Sequence, residues 1–160
     1  MPAIEEEVGQ LLRDKGLTIA VAEACTAGLV GSMLCSVPGS SRYFYGGVIA
    51  YTGGSKARVL GISEELLQRE GTVSPGAALE MARKGRHLLD TDVGVSTTGV
   101  AGPGGGSSDR PIGLFYIGVA ARDGYEATRE LHWNGDRNAN REDTARAALE
   151  LVREYLSQKA

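Results

Sequence analysis

Apolar and polar residues alternate along this chain in patterns that predict helices and strands in turn. Apolar residues recur at helical spacing from Ile4 to Leu12, and Gly16 follows where a helix ends. Short β-branched runs predict buried strands. Further helices are predicted over 26–36, 55–60, 63–70, 74–89 and 137–157. Strands are predicted over 17–22, 47–51, 92–98, 112–121 and 125–133.

The alternation of helices with strands predicts a layered α/β sandwich. Asp123-Gly124 is a hairpin signal, so the two strands that flank it pair antiparallel and make the sheet mixed. The Ser74-Pro75 pair is a strong helix start, because serine caps and proline fits the first turn. With 160 residues and no linker or repeat, a single domain over 1–160 is expected.

Three loops are expected to meet beyond the carboxyl ends of the strands, where ligands bind in open α/β sheets. They cover residues 23–27, 51–56 and 98–108. The first loop offers Glu23, Cys25 and Thr26 at a helix N-terminus, which stabilises negative charge. A threonine in the place of Thr26 is more often a plain N-cap, and a cysteine in the place of Cys25 is more often a small buried hydrophobe.

The third loop is unusually rich in glycine, with Gly104, Gly105 and Gly106 in a row after Gly102-Pro103. Such a segment leaves backbone N–H groups bare and favours an anion, an oxyanion or a closely held ligand. The alternative is a long flexible connection between strands. A Walker A motif is excluded because no Gly-Lys-Ser/Thr follows, and a dinucleotide fingerprint because a strand follows instead of a helix.

The second loop carries Tyr51 and, five residues later, Lys56. Burial lowers the pKa of a lysine, and a neutral amine can activate a nearby hydroxyl, as in Ser–Lys hydrolases. The alternative is an exposed helix lysine beside a core tyrosine. Chemistry alone favours the exposed lysine.

Composition narrows the classes of function. The net charge of −3 argues against a general nucleic-acid or anionic-membrane surface, and no apolar run reaches the ~18 residues of a membrane span. Two cysteines, Cys25 and Cys35, fit neither a metal spacing nor a disulfide framework, so a reducing cytoplasm is expected. Two histidines argue against a His-rich metal site.

Several motifs in order resemble one family. Ala22–Gly28 (Ala-Glu-Ala-Cys-Thr-Ala-Gly) resembles Ala-Glu-Ser-Cys-Thr-Gly-Gly, and Thr98–Gly105 resembles Thr-Gly-Ile-Ala-Gly-Pro-Gly-Gly. Further matches are 37–41, 46–51, Lys56, 71–74, 110–113, 135–137 and Arg141. Together they resemble the C-terminal domain of the competence/damage-inducible protein CinA, which also occurs alone as nicotinamide-nucleotide amidase. The resemblance covers nearly the whole chain.

The resemblance implies a three-layer α/β/α sandwich with a mixed, mostly parallel sheet that ends in an antiparallel hairpin. It implies hydrolysis of nicotinamide mononucleotide to nicotinic acid mononucleotide and ammonia in pyridine-nucleotide recycling. It implies no metal or organic cofactor, a small pyridine nucleotide as partner, no nucleic acid or membrane, and a homo-oligomer. The family mechanism uses a serine nucleophile, a lysine base and a nearby tyrosine, of which Lys56 and Tyr51 carry over.

The nucleophile itself does not carry over, because Ala24 stands in the position of the family serine. Three explanations are open. The chain binds a nucleotide without hydrolysing it, a neighbour such as Thr26 or Cys25 takes over, or the alanine was introduced to trap a substrate. Ala27 also replaces a family glycine, a mild change unless that position needs a positive φ.

The expected substrate-binding residues come from all three loops and from the start of the last helix. They are Glu23, Gly28, Thr98, Gly99, Gly102, Gly104, Gly105, Arg137 and Arg141. Backbone N–H groups near Thr98 and Gly99, or near Thr26, are candidates for an oxyanion hole. Arg137 or Arg141 is expected to contact the ligand phosphate, the alternative being a surface ion pair with Glu142 or Asp143.

Overall fold

The computed structural model describes residues 1–159, so the last residue of the expected 1–160 domain lies outside it. Six α-helices occur in this range, in chain order α1 (Ile4–Lys15), α2 (Leu29–Cys35), α3 (Gly53–Leu60), α4 (Glu64–Glu70), α5 (Pro75–Leu89) and α6 (Arg137–Gln158). The strands are β1 (Ile19–Glu23), β2 (Phe44–Ile49), β3 (Val93–Gly99), β4 (Leu114–Ala121) and β5 (Glu126–His132). None of these helices is long and apolar enough to cross a membrane.

The five strands form one mixed sheet in the order β2-β1-β3-β4-β5. β1 pairs parallel with β2 and with β3, while β3–β4 and β4–β5 are antiparallel. The mixed α/β fold and the final hairpin are therefore confirmed. The expectation of a mostly parallel sheet needs a correction, because β4 returns directly beside β3 and half of the four pairings are antiparallel.

Helices cover both faces of the sheet. One apolar cluster joins α1, α2 and α6 to the sheet, and another lies under α3, α4 and α5. The closest contact is that of α5, where a Cβ at Gly94 would lie 2.1 Å from the Ala82 carbonyl and one at Gly118 would lie 2.8 Å from that of Ala78. Glycine at these two strand positions therefore allows the helix to approach the sheet backbone.

Two predicted elements differ from the structure. β2 was expected to be buried to Tyr51, but it ends at Ile49 and its residues alternate between half-buried and exposed. The reason is its position at the edge of the sheet, with a partner strand on one side only. α2 begins at Leu29 instead of Thr26, and its N-cap is Gly28. The predicted starts at Ser63 and Ser74 are confirmed, since both hydroxyls cap their helices.

The turn between β1 and α2 forces one alanine into a strained conformation. Ala27 has a φ of +46°, in the left-handed region, and the next residue, Gly28, has a φ of +103°. An alanine in this region costs about 1–3 kcal/mol, which a glycine avoids. The exchange of the family glycine for Ala27 therefore strains the segment that carries Ala24.

We predict that Ala27→Gly stabilises the protein by about 1 kcal/mol, because relief of strain exceeds the added freedom of glycine in the unfolded chain. For a chain of this size the melting temperature should rise by roughly 2–4 °C, measurable by calorimetry. Ala57→Gly, inside helix α3, is the matched control and should lower the melting temperature. A fall for both variants would contradict strain at Ala27.

Candidate active site

The register of the parallel strands brings the three predicted loops to one edge of the sheet. Glu23, the last residue of β1, lies beside Ile49 of β2 on one side and Thr97 of β3 on the other. The loops that follow these strands therefore meet, and a cavity of about 100 Å³ lies between them. Its lining residues are Ala24, Cys25, Tyr51, Lys56, Thr72, Val73, Thr98, Gly99 and Ala101.

Lys56 is the central charged group of this cavity. Helix α3 begins at a capping box in which the Thr52 and Ser55 side chains bond each other's backbone N–H groups, and Lys56 follows on the inner side. Its side chain is only 2% exposed, and Nζ donates a hydrogen bond of 3.1 Å to the Ala50 carbonyl. Within residues 1–159 it pairs with no carboxylate.

Burial lowers the pKa of Lys56 below the ordinary lysine value, with a small opposing effect from Cys25. A lowered pKa increases the share of neutral amine near pH 7, which is the form that accepts a proton. The side chain is therefore prepared to act as a base on a group that enters the cavity.

Tyr51 lines the mouth of the cavity and is 53% exposed. Its hydroxyl accepts a hydrogen bond of 2.8 Å from Arg137, which also donates to the Gly102 carbonyl. Tyr51 and Lys56 line the same cavity, as the sequence predicts, but their polar atoms bond different partners. Arg137 thereby joins the loop after β2 to the glycine loop.

Glu23 is fully buried, and its carboxylate holds the first loop from inside. It accepts hydrogen bonds from the backbone N–H groups of Gly28, Val30 and Gly31 and from the Thr26 hydroxyl. The Thr26 hydroxyl also bonds Thr97 at 2.7 Å. The cavity is therefore not lined by Glu23, Gly28 or Thr26. The sequence predicts that these residues contact the ligand or take part in the reaction.

Cys25 lines the cavity but is only 5% exposed. Burial raises the pKa of its thiol to about 12, so the reactive thiolate is scarce at neutral pH. Arg141 donates to the backbone carbonyls of Cys25 and Thr26, at 2.8 and 3.2 Å. This arginine therefore ties the loop of Ala24 to helix α6.

The cations Arg137 and Arg141 are held by neutral oxygens. Neither forms an ion pair within residues 1–159, and Asp143 pairs with Arg146 instead. The expected alternative, a surface ion pair with Glu142 or Asp143, is therefore absent from this range. Two positive charges that have no counterion within residues 1–159 therefore bond the loops around the cavity.

The tip of the glycine loop lies away from the cavity. Gly104 and Gly105, both predicted to bind substrate, are exposed and have no neighbour within 4 Å of a built Cβ. Only the base of the loop, with Thr98, Gly99 and Ala101, lines the cavity. The predicted residue Gly102 contributes its carbonyl to Arg137.

Thr72, Val73 and Ala101 line the cavity although the sequence does not single them out as site residues. All three lie inside motifs that the family resemblance covers, so their place in these motifs could have identified them as site residues. Thr72 and Val73 belong to the connection between α4 and α5, and the Thr98 hydroxyl donates to the Thr72 carbonyl at 2.7 Å.

Ala24 presents a methyl group where this cavity meets Lys56. It is 3% exposed and packs in a small apolar cluster under α3 and α5. Within residues 1–159, the backbone N–H groups of Cys25 and Thr26 donate to no protein oxygen. In the same range no cluster of acidic, histidine or cysteine side chains suits a metal ion. The cavity around position 24 therefore has a buried amine and two backbone N–H groups that bond no protein oxygen within residues 1–159, but position 24 itself supplies no nucleophile.

Curated proteins of similar sequence are longer than this chain. A CinA-like protein of Trichodesmium erythraeum is 47% identical over 156 residues, which are 95% of this chain and 37% of that protein. A CinA-like protein of Geobacter sulfurreducens is 42% identical over 153 residues, 96% of this chain and 37% of that protein. The chain thus spans little more than a third of the length of these relatives.

Solved structures match over nearly their full length. The competence/damage inducible protein CihA of Agrobacterium tumefaciens has a TM-score of 0.91 and 36% identity, covering 99% of this chain and 98% of that one. A CinA superfamily protein of Klebsiella pneumoniae has a TM-score of 0.93 and 26% identity, covering 98% and 97%. The family model described as CinA C-terminal domain matches residues 1–156. The chain therefore belongs to the CinA C-terminal domain family.

Proposed function

We propose that the cavity at Ala24 is a carboxamide-hydrolysing site of the nicotinamide-nucleotide amidase type that lacks its nucleophile. The chain then binds nicotinamide mononucleotide and turns it over slowly or not at all. The observation that carries this proposal is Lys56, a buried amine that has one hydrogen bond and no counterion within residues 1–159 and lines the same cavity as Ala24. A solvated surface lysine has no such environment.

A hydroxyl at position 24 would complete the chemistry. Lys56 would accept the hydroxyl proton while the oxygen attacks the carboxamide carbon, and the N–H groups of Cys25 and Thr26 would stabilise the oxyanion. The C–N bond would then break, and the proton held by Lys56 would leave with ammonia. Water would hydrolyse the resulting ester to give the carboxylate product.

Neither neighbour of Ala24 is suited to replace the missing hydroxyl. The Thr26 hydroxyl is fully buried and already bonds Glu23 and Thr97. The pKa of the Cys25 thiol, raised to about 12 by burial, keeps it protonated at neutral pH. These two observations favour binding without turnover over a displaced nucleophile.

The ligand phosphate is proposed to lie at Arg137, with Arg141 as the second candidate. The N-terminus of α2 is unavailable, because the Glu23 carboxylate already occupies the donors that an external anion would use. Arg137 lies beside Tyr51 at the mouth of the cavity and has no acidic partner within residues 1–159. A phosphate there would supply the missing counterion.

We predict that Ala24→Ser creates amidase activity in this chain. Ammonia release from nicotinamide mononucleotide should rise by at least about 10³-fold, since loss of a hydrolytic nucleophile elsewhere costs up to about 10⁶ in kcat. Ammonia is measured in a coupled assay with the parent chain alongside.

Adding Lys56→Met to Ala24→Ser should abolish the gained amidase activity. The matched control is Lys84→Met, which replaces a half-buried lysine on α5 and should leave that activity unchanged. Substantial ammonia release by the parent chain that Lys56→Met abolishes would contradict binding without turnover.

We predict that Lys56→Met raises the melting temperature near pH 7, because the parent chain buries an ammonium with a single hydrogen bond. The folded-state pKa of Lys56 lies below its ordinary value of 10.5. Between the two values the unfolded chain binds more protons, so the parent gains stability as pH rises through this window. The advantage of the variant should therefore shrink from pH 7 to pH 10 in thermal melts. An advantage that stays constant with pH would contradict a depressed pKa.

We predict that Arg137→Met weakens binding of nicotinamide mononucleotide at least about tenfold, the loss expected for a hydrogen bond to a charged group. Calorimetry should find nicotinamide riboside, which has no phosphate, almost unaffected by the same change. Arg141→Met tests the second candidate. An equal loss for both ligands would mean that Arg137 shapes the cavity without binding phosphate.

A further inference from the structure

The exposed part of the glycine loop is tied to the rest of the chain by one side chain. Residues 103–109 are all exposed and contain no helix or strand. The hydrogen bonds within this part join Ser107 to Arg110. Between 103 and 111, within the described chain, Arg110 alone reaches another element through its side chain.

Arg110 bonds the connection between α4 and α5. Its Nε donates to the Val73 carbonyl at 3.1 Å, and Nη2 donates to the Glu70 carbonyl. The guanidinium lies flat against Gly71, where a built Cβ would fall 2.1 Å from Nη2. Arg110 has no acidic partner within residues 1–159. Two nitrogens of its guanidinium, Nε and Nη2, thus hold a backbone segment.

That segment is a wall of the candidate active site. Thr72 and Val73 line the cavity of about 100 Å³, whereas ligand pockets usually measure about 300–1,000 Å³. A second cavity of about 440 Å³ shares Val73 with the small one and is also lined by Arg110. A volume of about 100 Å³ suits a carboxamide group and is too small for a whole nucleotide.

We propose that Arg110 is a positioning residue that latches this wall, so that release of its two hydrogen bonds opens the small cavity toward the larger one and admits the ligand. The Thr98–Thr72 hydrogen bond remains formed during opening, so the wall turns about this point. Only the identity of the ligand rests on the proposed function. The latch itself is a property of the folded chain.

Cys25 provides a reporter of opening that needs no nucleotide. Cys25 lines the small cavity and is only 5% exposed, so opening of the wall should speed its reaction with a small alkylating reagent. Iodoacetamide forms a C–S bond with the thiolate and releases iodide. Cys35 is exposed and is removed as Cys35→Ser. Burial is the main cause of the raised pKa of Cys25, and the charges that act on it are those of Lys56 and Glu23, so removing the Arg110 charge affects the thiol only through opening.

The test compares Arg110→Ala with Arg69→Ala in the Cys35→Ser background. Arg69 is a neighbouring arginine on α4 that bonds only carboxylates, Glu65 and Glu70. Mass spectrometry should find Cys25 alkylated about ten- to hundredfold faster in Arg110→Ala, the effect of losing hydrogen bonds from a charged group. Arg69→Ala should match the parent. Equal rates in both variants would overturn the latch.

A second pair of measurements separates opening from a damaged fold. Low millimolar guanidinium should restore slow alkylation in Arg110→Ala, because it can occupy the site that the arginine side chain leaves empty. The alkylation rate of Arg110→Lys should lie between those of the parent and Arg110→Ala, because an ammonium replaces the planar guanidinium. The proposal would also be overturned if the alkylation rates of the variants rose in step with the fall in their melting temperatures and guanidinium had no effect.

Stopped-flow binding of nicotinamide mononucleotide completes the test. The latch predicts that Arg110→Ala raises both the association and the dissociation rate, while Kd changes less than either. If the parent chain binds no nucleotide, the proposed function fails, whereas the alkylation result still decides the latch. If the nucleotide binds with unchanged rates, the latch fails and the proposed function stands.

Discussion

The buried carboxylate of Glu23 is the interaction on which the site depends. It ends β1 between the two parallel neighbours and accepts hydrogen bonds from three backbone N–H groups at the start of α2. An internal anion thereby neutralises the positive helix end and fixes the direction in which the chain leaves the sheet. Ala24 is the next residue, so its position in the cavity follows from this contact. The strain at Ala27 is a consequence of the same sharp turn.

This constraint divides the charges of the site into two groups with different roles. Because the helix end is already occupied, we propose that the anionic part of a ligand binds Arg137 or Arg141, which bond the loops around the cavity and form no ion pair within residues 1–159. Lys56 lies deeper, where burial lowers its pKa and prepares it for proton transfer instead of for binding charge. An outer cation and an inner amine with a lowered pKa match the proposed substrate, which carries a phosphate at one end and an uncharged carboxamide at the other.

Local signals in the sequence predict much of the fold, because their physics involves only neighbours in the chain. Ser74-Pro75 starts a helix and Asp123-Gly124 turns a hairpin, as predicted. The half-exposure of β2 and the balance of parallel and antiparallel pairs depend on strand order, which local patterns do not encode. In the site, the loops that meet were predicted from topology, while Lys56 and Tyr51 required the family resemblance as well. Arg110 escaped prediction because its partners are backbone carbonyls about forty residues away, at Glu70 and Val73.

We propose that the cavity holds every group for carboxamide hydrolysis except one hydroxyl. A single-turnover reaction checks this proposal, with protein in excess over nicotinamide mononucleotide and the products separated by chromatography. We expect Ala24→Ser to convert the bound nucleotide to nicotinic acid mononucleotide with one ammonia each, while the parent chain returns it unchanged. Unchanged nucleotide from both proteins, each with the ligand bound, would contradict it.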